Sequence, residues 1–329
     1  MLNPAARLLW RGRDAAQLEL GTRAVTIDGV EPAALARLVP TSRTPHLDTS
    51  MTALDDGTID VLSDAGYVWT RRERLDDPRL HPPAPRLAGE LAALSARRGE
   101  GAAEVLAARR LKTVGIHGTG RAAAHIAALV AAAGVGRVYV VDTGDVHLHQ
   151  ATPGGLTPED EGRRFAAAAA TAVWRAAPEA DTTPLPMGER PDLVVMAFDE
   201  PIDSDQRAAL HARGCTHLAV RLAADHGVIG PLVIPAVTSC LACADLHRGN
   251  RDPAWRALAV QLTVPRRHGP MSEVSLAAVV AGVAALQVVA YLDGEQPATI
   301  EGTLEMHLPD WRIRRRSWPR HPDCDCSHW

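Results

Sequence analysis

The sequence predicts an α/β protein, a doubly wound parallel sheet preceded by a smaller separate module. Three observations carry that prediction. From Lys112 onward, short apolar runs of strand type alternate with longer runs of helical type. A Gly-x-Gly-x-x-Ala turn, Gly118 to Ala123, lies between the first of those runs and the first helix. Four of the five cysteines fall into two close pairs, Cys240 with Cys243 and Cys324 with Cys326.

Taken in order, residues 1–75 read as one compact module. AQLELG and RAVTIDGV alternate apolar and polar residues around Gly21 and Thr22, which predicts a hairpin. EPAALARLV (31–39) reads as a helix with proline in its first turn. TIDVLSDAGYVW (58–69) reads as a helix running into an extended piece. A hairpin with small helices is the outline of a winged-helix module or of a generic small domain. Residues 76–110 form a proline-rich linker followed by Ala/Arg-rich helix, broken near 99–101. Residues 111–329 hold the main domain. Its strands are TVGIHG, RVYVVD, DLVVMAFD and THLAVRL, and its helices include RAAAHIAALVAAAG, EGRRFAAAAATAVWRAA and DSDQRAALHARG. VSLAAVVAGVAALQVVAYL (274–292) has nearly the length of a membrane span, but it is Ala-rich, stands alone and carries Gly282 and Gln287. A buried helix is the expectation.

Composition narrows the function. The chain has 329 residues, 46% hydrophobic, with a formal net charge of -4. That balance argues against a nucleic-acid surface and, with no signal-peptide pattern at the start, for a cytoplasmic protein without a membrane partner. Paired cysteines in that setting favour metal over disulfides. Cys240, Cys243, Cys324 and Cys326 supply the four thiolates of a closed tetrahedral structural zinc site, which leaves no position for a reacting water. His247, His321 and His328 are alternative ligands that four cysteines make unnecessary; His321 is expected beside the site or at the surface. Lone Cys215 is read as a buried structural residue rather than a nucleophile. WRIRRRSWPR (311–320) is either a solvated strand face or a surface for an acidic partner.

The turn permits close approach of a phosphate to backbone N–H groups at a helix start, so Gly118 and Gly120 are candidate nucleotide-binding residues. Asp142, ending the next strand, is the candidate ribose acid. The run GIHGTGRAAAHIAALVAAAGVGRVYVVDTGDV resembles the opening of the ThiF/MoeB-type adenylating fold, a Rossmann-like fold related to ubiquitin-activating enzymes. DLVVMAFDEPID, HLAVRLAADHGVIGPLVIPAVTSCLAC, SEVSLAAVVAGVAALQVVAYLDG and HPDCDC resemble its later parts. CLACADLHRGNRDPAW and the N-terminal module resemble a narrower group, the ThiF-like leader-peptide-binding partner proteins of azoline-forming bacteriocin biosynthesis.

That resemblance implies a winged-helix module that captures a precursor leader peptide by strand addition. Residues 23–30 would supply the edge strand and 58–69 a groove wall, with Ala24, Val25, Thr26, Ile27, Leu62 and Tyr67 as contacts. It also implies a YcaO-type cyclodehydratase partner and, by analogy, a homodimer. Against the adenylating pattern several residues depart. Between Asp142 and Gly162 there is no Lys or Arg. Phe165 stands where the family has a lysine, and Arg121 and Ala123 replace glycines. Asp199 matches a magnesium-associated acid. The expectation is a non-catalytic scaffold with structural zinc and a vestigial nucleotide site, ATP not being expected as a cofactor. The alternative is an active adenylyltransferase using Asp199 with Arg163 or Arg164. A DNA-binding regulator is disfavoured by the acidic balance.

Overall fold

The computed structural model describes residues 3, 6–11, 15–20, 22–29, 55–68, 85–98, 101–141, 144–199, 202, 204–262 and 272–327. The chain divides into two compact units, Met1–Ala108 and Arg109–Trp329.

In the first unit, strands β1 (Arg7–Trp10), β2 (Ala15–Leu20) and β3 (Arg23–Asp28) form an antiparallel sheet in the order β1-β2-β3. The expected hairpin is β2–β3, with Leu20 opposite Arg23. Alternation in β2 turns Ala16, Leu18 and Leu20 into the core, where they meet Ile27, Leu62 and Tyr67. Helix α1 (Asp56–Asp64) starts two residues before the expected helix, because the Asp55 carboxylate caps it by accepting the Thr58 N–H at 2.9 Å. The Tyr67 hydroxyl lies 3.0 Å from the carbonyls of both Leu18 and Arg23, tying the segment after α1 to the hairpin. Helices α2 (Ala88–Arg98) and α3 (Ala102–Arg109) bury Leu91, Leu94 and Leu106 against each other, around a break that contains Gly101. The expected helix at 31–39 lies outside the described residues.

The second unit holds a seven-stranded sheet. Strands β4 (Thr113–His117), β5 (Arg137–Val141), β6 (Leu193–Phe198) and β7 (His217–Leu222) are parallel, in the order β5-β4-β6-β7. Helices α4 (Ala123–Ala132), α5 (Phe165–Ala176) and α6 (Ser204–Ala212) are interspersed with them. The expectation of a wholly parallel sheet is corrected beyond β7. Strands β8 (His226–Val233), β9 (Gly302–His307) and β10 (Ile313–Ser317) continue the sheet antiparallel. Only residues 223–225 separate β7 from β8, with Ala223 N–H bonded to His226 O. A connection that short forms a hairpin, whereas a parallel return needs a crossover of a dozen residues or more. The sheet is therefore mixed.

Helix α7 (Leu241–Arg251), α8 (Trp255–Leu262) and α9 (Val274–Leu292) complete the unit. Among the described residues α9 alone is long and apolar enough to cross a membrane, and it buries Leu276, Val280, Ala284 and Val288 in the core formed with α4, β7 and β8. Just after α9, Asp293 receives Arg109 Nε at 2.9 Å and Nη2 at 2.6 Å, an ion pair whose side chains are 0% and 1% exposed.

His217 begins β7 buried, with Nδ1 2.9 Å from the Cys215 carbonyl oxygen. Burial pushes its pKa from 6.5 down to about 4. Between those two values the unfolded chain binds a proton that the folded chain refuses. Stability at this residue is thus complete above pH 6.5 and lost as pH falls toward 4, by on the order of 3 kcal/mol. Melting curves recorded from pH 7 to 4.5 should show a shallower acid loss in His217→Gln than in the natural chain.

Candidate metal centre and glycine turn

The two cysteine pairs come together. Cys240 is the N-cap of α7 and Cys243 lies in its first turn, so the helix start presents both sulfurs on one side. Cys324 and Cys326 straddle the start of a final turn of 3-10 helix, Asp325–Ser327. Sulfur–sulfur distances are 3.9 Å for Cys240–Cys243, 3.6 Å for Cys240–Cys324 and 3.5 Å for Cys243–Cys326. All four sulfurs lie within 4.8 Å of one another, and all four residues are buried. Bonds of about 2.3 Å to a tetrahedral zinc set such separations at about 3.8 Å, so the donor set fits that geometry. Burial and the neighbouring sulfurs push the Cys326 thiol up to about 11, and Cys324 is raised for the same reasons. A cation among the sulfurs reverses that preference, and the N-terminus of α7 favours the resulting negative charge.

The histidines near this cluster are supports. His321 is buried, not on the surface; its Nδ1 accepts the Asp323 N–H at 3.1 Å and its Nε2 lies 2.8 Å from Asn250 Nδ2. His247 Nε2 lies 3.0 Å from Pro319 O, and the two rings meet edge to face at 4.8 Å. Together they fasten the C-terminal turn to α7. His328 lies outside the described residues. Cys215 is buried between β6 and α6 with Val194, Met196 and Leu210, as a structural cysteine would be. The arginine-rich β10 is exposed along its whole length.

The glycine turn joins β4 to α4. Gly118 has φ +111°, and a Cβ there would stand 2.3 Å from the Ala197 carbonyl oxygen; at Gly120 the same oxygen would be 2.8 Å away. Both glycines are thus required by the close approach of the end of β6. Two of the turn's donors are used internally. Gly120 N–H donates to Ala197 O at 3.1 Å, and Arg121 N–H donates to the Asp199 carboxylate at 3.0 and 3.3 Å. A carboxylate of the chain itself thus meets the turn just before α4, whose N-cap Ala122 has no side-chain cap. The Arg121 guanidinium reaches across to the Ser272 carbonyl. Gln150 braces the next loop against the turn, donating to Thr119 O at 2.7 Å while accepting the His147 N–H at 2.7 Å. No motif marked Gln150 in advance.

Among the described residues, the two arginines considered as cations for an adenylating centre are engaged by other groups. Arg163 bonds the Asp160 carboxylate and Thr171, and Arg164 pairs with Asp145 at 2.8 Å. Phe165 is buried in the main core, so its position supplies no charge. Burial, with His147 and Arg121 nearby, holds His149 below the ordinary histidine range. Asp142 lies outside the described residues. Among the described residues, Arg121, Arg163 and Arg164 are each held by a group of the chain itself.

In the first unit, Ala24 and Thr26 are exposed on β3 and Val25 is half-buried, while Ile27, Leu62 and Tyr67 belong to the core. Of the expected peptide contacts, Ile27, Leu62 and Tyr67 are thus buried and Ala24 and Thr26 exposed. Leu62 and Tyr67 are 0% exposed and support the sheet from beneath.

A mixed sheet with a strand–glycine turn–helix opening and a four-cysteine cluster defines a Rossmann-like α/β protein. The chain belongs to the ThiF family, which matches residues 94–328. Its fold is similar to that of E. coli MccB solved with ATP, at 15% identity and TM-score 0.71, covering 99% of this chain and 98% of that one. It is equally similar to the microcin C7 biosynthetic enzyme MccB in complex with N-formylated MccA, at 14% identity and TM-score 0.71, covering 99% of each chain. A third similar structure is PaaA, at 12% identity and TM-score 0.62, covering 96% of this chain and 99% of that one. No curated protein matches the sequence.

Proposed function

We propose that this protein is a non-catalytic leader-peptide-binding scaffold of ribosomal peptide biosynthesis. In this reading, residues 1–75 form a winged-helix recognition module, 76–110 a linker and helix, and 111–329 a ThiF-like domain stapled by structural zinc on Cys240, Cys243, Cys324 and Cys326. The protein works in the cytoplasm, as a homodimer, and presents a precursor peptide to a YcaO-type cyclodehydratase that forms azolines. The observation that carries the non-catalytic part is the occupied glycine turn. Its N–H groups at Gly120 and Arg121 serve Ala197 and Asp199, and Arg163 and Arg164 are paired with acids.

Peptide capture is supported by β3. It is an outer strand of its sheet, with Ala24 and Thr26 exposed. A leader adding a strand there would gain backbone hydrogen bonds for affinity and side-chain positions for specificity. Similarity to MccB, solved with the peptide MccA, supports a peptide partner. Presenting the peptide raises its effective concentration at the partner's active site. The test is binding of a fluorescent precursor leader to the natural chain and to Thr26→Pro. Proline removes a donor and breaks strand addition, so binding should weaken by about tenfold or more with β2 and the Tyr67 core intact. Unchanged binding by a folded Thr26→Pro protein contradicts capture at β3.

The second reading is an adenylyltransferase that uses Gly118, Gly120, Asp142 and Asp199 with Arg163 or Arg164. It is favoured by Asp199 standing at the turn and by similarity to MccB solved with ATP.

A further inference from the structure

The arginine run at 311–320 has no part in the turn, the cysteine cluster or β3, and the fold places it at an edge. Strand β10 is the outermost strand of the seven and pairs with β9, Ile313 opposite Met306 and Ser317 opposite Gly302. One step further in the same register, Trp318 N–H donates to Glu301 O at 2.8 Å. Bonded and non-bonded pairs alternate in an antiparallel ladder, so Arg316 and Arg314 continue the bonded series toward β9. The N–H and C=O groups of Ile313, Arg315 and Ser317 therefore point off the edge of the sheet. All five residues of β10 are exposed, and beside the arginines stand two apolar side chains, Trp311 and Ile313, 63% and 49% exposed.

The arginines meet few acids. Asp310 takes Arg314 at 2.6 Å and Arg312 at 3.8 Å. Glu305 faces Arg316 at 3.5 Å and also His307 at 3.7 Å. The Arg315 guanidinium donates to Ala298 O at 2.8 Å, Ile300 O at 2.9 Å and Ser317 Oγ at 2.7 Å. Among the described residues, four guanidiniums thus share two carboxylates, and one of those two also faces a histidine. Charge on an edge strand ordinarily discourages pairing with another chain. Charge of a single sign discourages above all a second copy, because antiparallel pairing of β10 with itself would set arginine beside arginine. A strand of opposite charge meets no such barrier.

We propose that β10 takes an extended acidic segment of a partner protein as an eighth strand. Carboxylates of that segment would lie on the face of Arg314 and its neighbour Arg312, and apolar side chains on the face of Ile313, since strand side chains alternate between faces. Strand addition supplies backbone bonds for affinity and alternate side chains for selectivity. Guanidinium is the group best shaped to take a carboxylate through two parallel N–H bonds. A nucleic acid is a poorer occupant, because its backbone cannot complete the row of N–H and C=O groups on the edge. The inference rests on the second unit alone and stands apart from leader capture at β3.

The test uses the full chain and a labelled, acetylated and amidated peptide, Glu-Val-Glu-Val-Glu-Val-Glu, followed by fluorescence anisotropy. Saturable binding with Kd on the order of 100 µM is expected, weakening as salt is raised. The lysine counterpart of the peptide, which has the same alternation, should not bind. Ile313→Pro removes one outward N–H, keeps every charge and leaves the bonded pairs with β9 in place; it should weaken binding about tenfold. Arg312→Gln with Arg314→Gln should do the same, whereas Arg175→Gln, on α5, should bind as the natural chain does. If Ile313→Pro does not fold, hydrogen exchange in the natural chain decides. Saturating peptide should slow the amides of Ile313, Arg315 and Ser317 about tenfold and leave those of Arg314 and Arg316 unchanged. The proposal is overturned by equal affinity for the lysine peptide, by undiminished binding to either folded variant, by unchanged exchange at those three amides, or by no saturation up to about 2 mM peptide. Tighter binding of a single-stranded oligonucleotide of equal charge also overturns it. So does protection of the three amides in the free chain that is lost on dilution, which would give the edge to a second copy.

Discussion

Cys243→Ser is expected to release the metal and lower the melting temperature of the ThiF-like unit by more than about 10 °C. The reason is geometric. Cys243 lies 3.9 Å from Cys240 and 3.5 Å from Cys326, so it joins the α7 pair to the C-terminal pair. Losing it opens a closed four-sulfur site and leaves buried thiols that burial already resists ionising. Metal held by such a site contributes apparent binding energies of about 10–16 kcal/mol to folding. Losing even about half of that, at about 2–4 °C per kcal/mol for a unit of this size, gives the expected shift. Elemental analysis should find about one zinc per natural chain and a small fraction of that in the variant. A strong chelator should lower the natural chain's melting temperature in the same direction. Full stability in a metal-free natural chain contradicts the assignment.

Arg109→Ala is expected to cost about 3–5 kcal/mol, the range for removing one partner of a buried ion pair. The Asp293 carboxylate is fully buried and takes two bonds from the Arg109 guanidinium, at 2.6 and 2.9 Å. The pair links the start of the second unit to the end of α9, whose apolar face fills the core. Replacing both partners by leucine should restore most of the loss, since an apolar pair of similar volume avoids the desolvation cost. Denaturant unfolding of the two variants measures this. A single variant as stable as the natural chain contradicts the account, because no charge would then have been left without its main partner.

The parts legible in the sequence were those with a local period or a fixed spacing. The parallel strands read as apolar runs because helices cover both sheet faces, and the cysteine pairs read as metal ligands because Cys-x-x-Cys and Cys-x-Cys each pre-orient two ligands locally. Strand β9 was not read in advance, and β10 only as a solvated strand face, one of two alternatives for 311–320. Ile313–Ser317 is exposed throughout, so neither face leaves an alternating pattern, and β1 is a four-residue edge strand with only Leu8 turned partly inward. The glycine turn was legible as a turn but not as an occupied one. Which group accepts the Arg121 N–H depends on Asp199, 78 residues further along the chain. Leu62 and Tyr67 were expected as groove residues only through the family resemblance, which made 58–69 a groove wall. Only the sheet packing turns them inward.

The central claim is that the ThiF-like domain keeps the turn of a nucleotide site without its ligand. Calorimetric titration of the zinc-loaded protein with Mg-ATP tests it most directly and requires no knowledge of the precursor. The account predicts no binding heat up to about 1 mM nucleotide, with no displacement in an independent competition assay. Micromolar binding, weakened by Asp199→Ala, contradicts it and makes adenylation the reading to pursue.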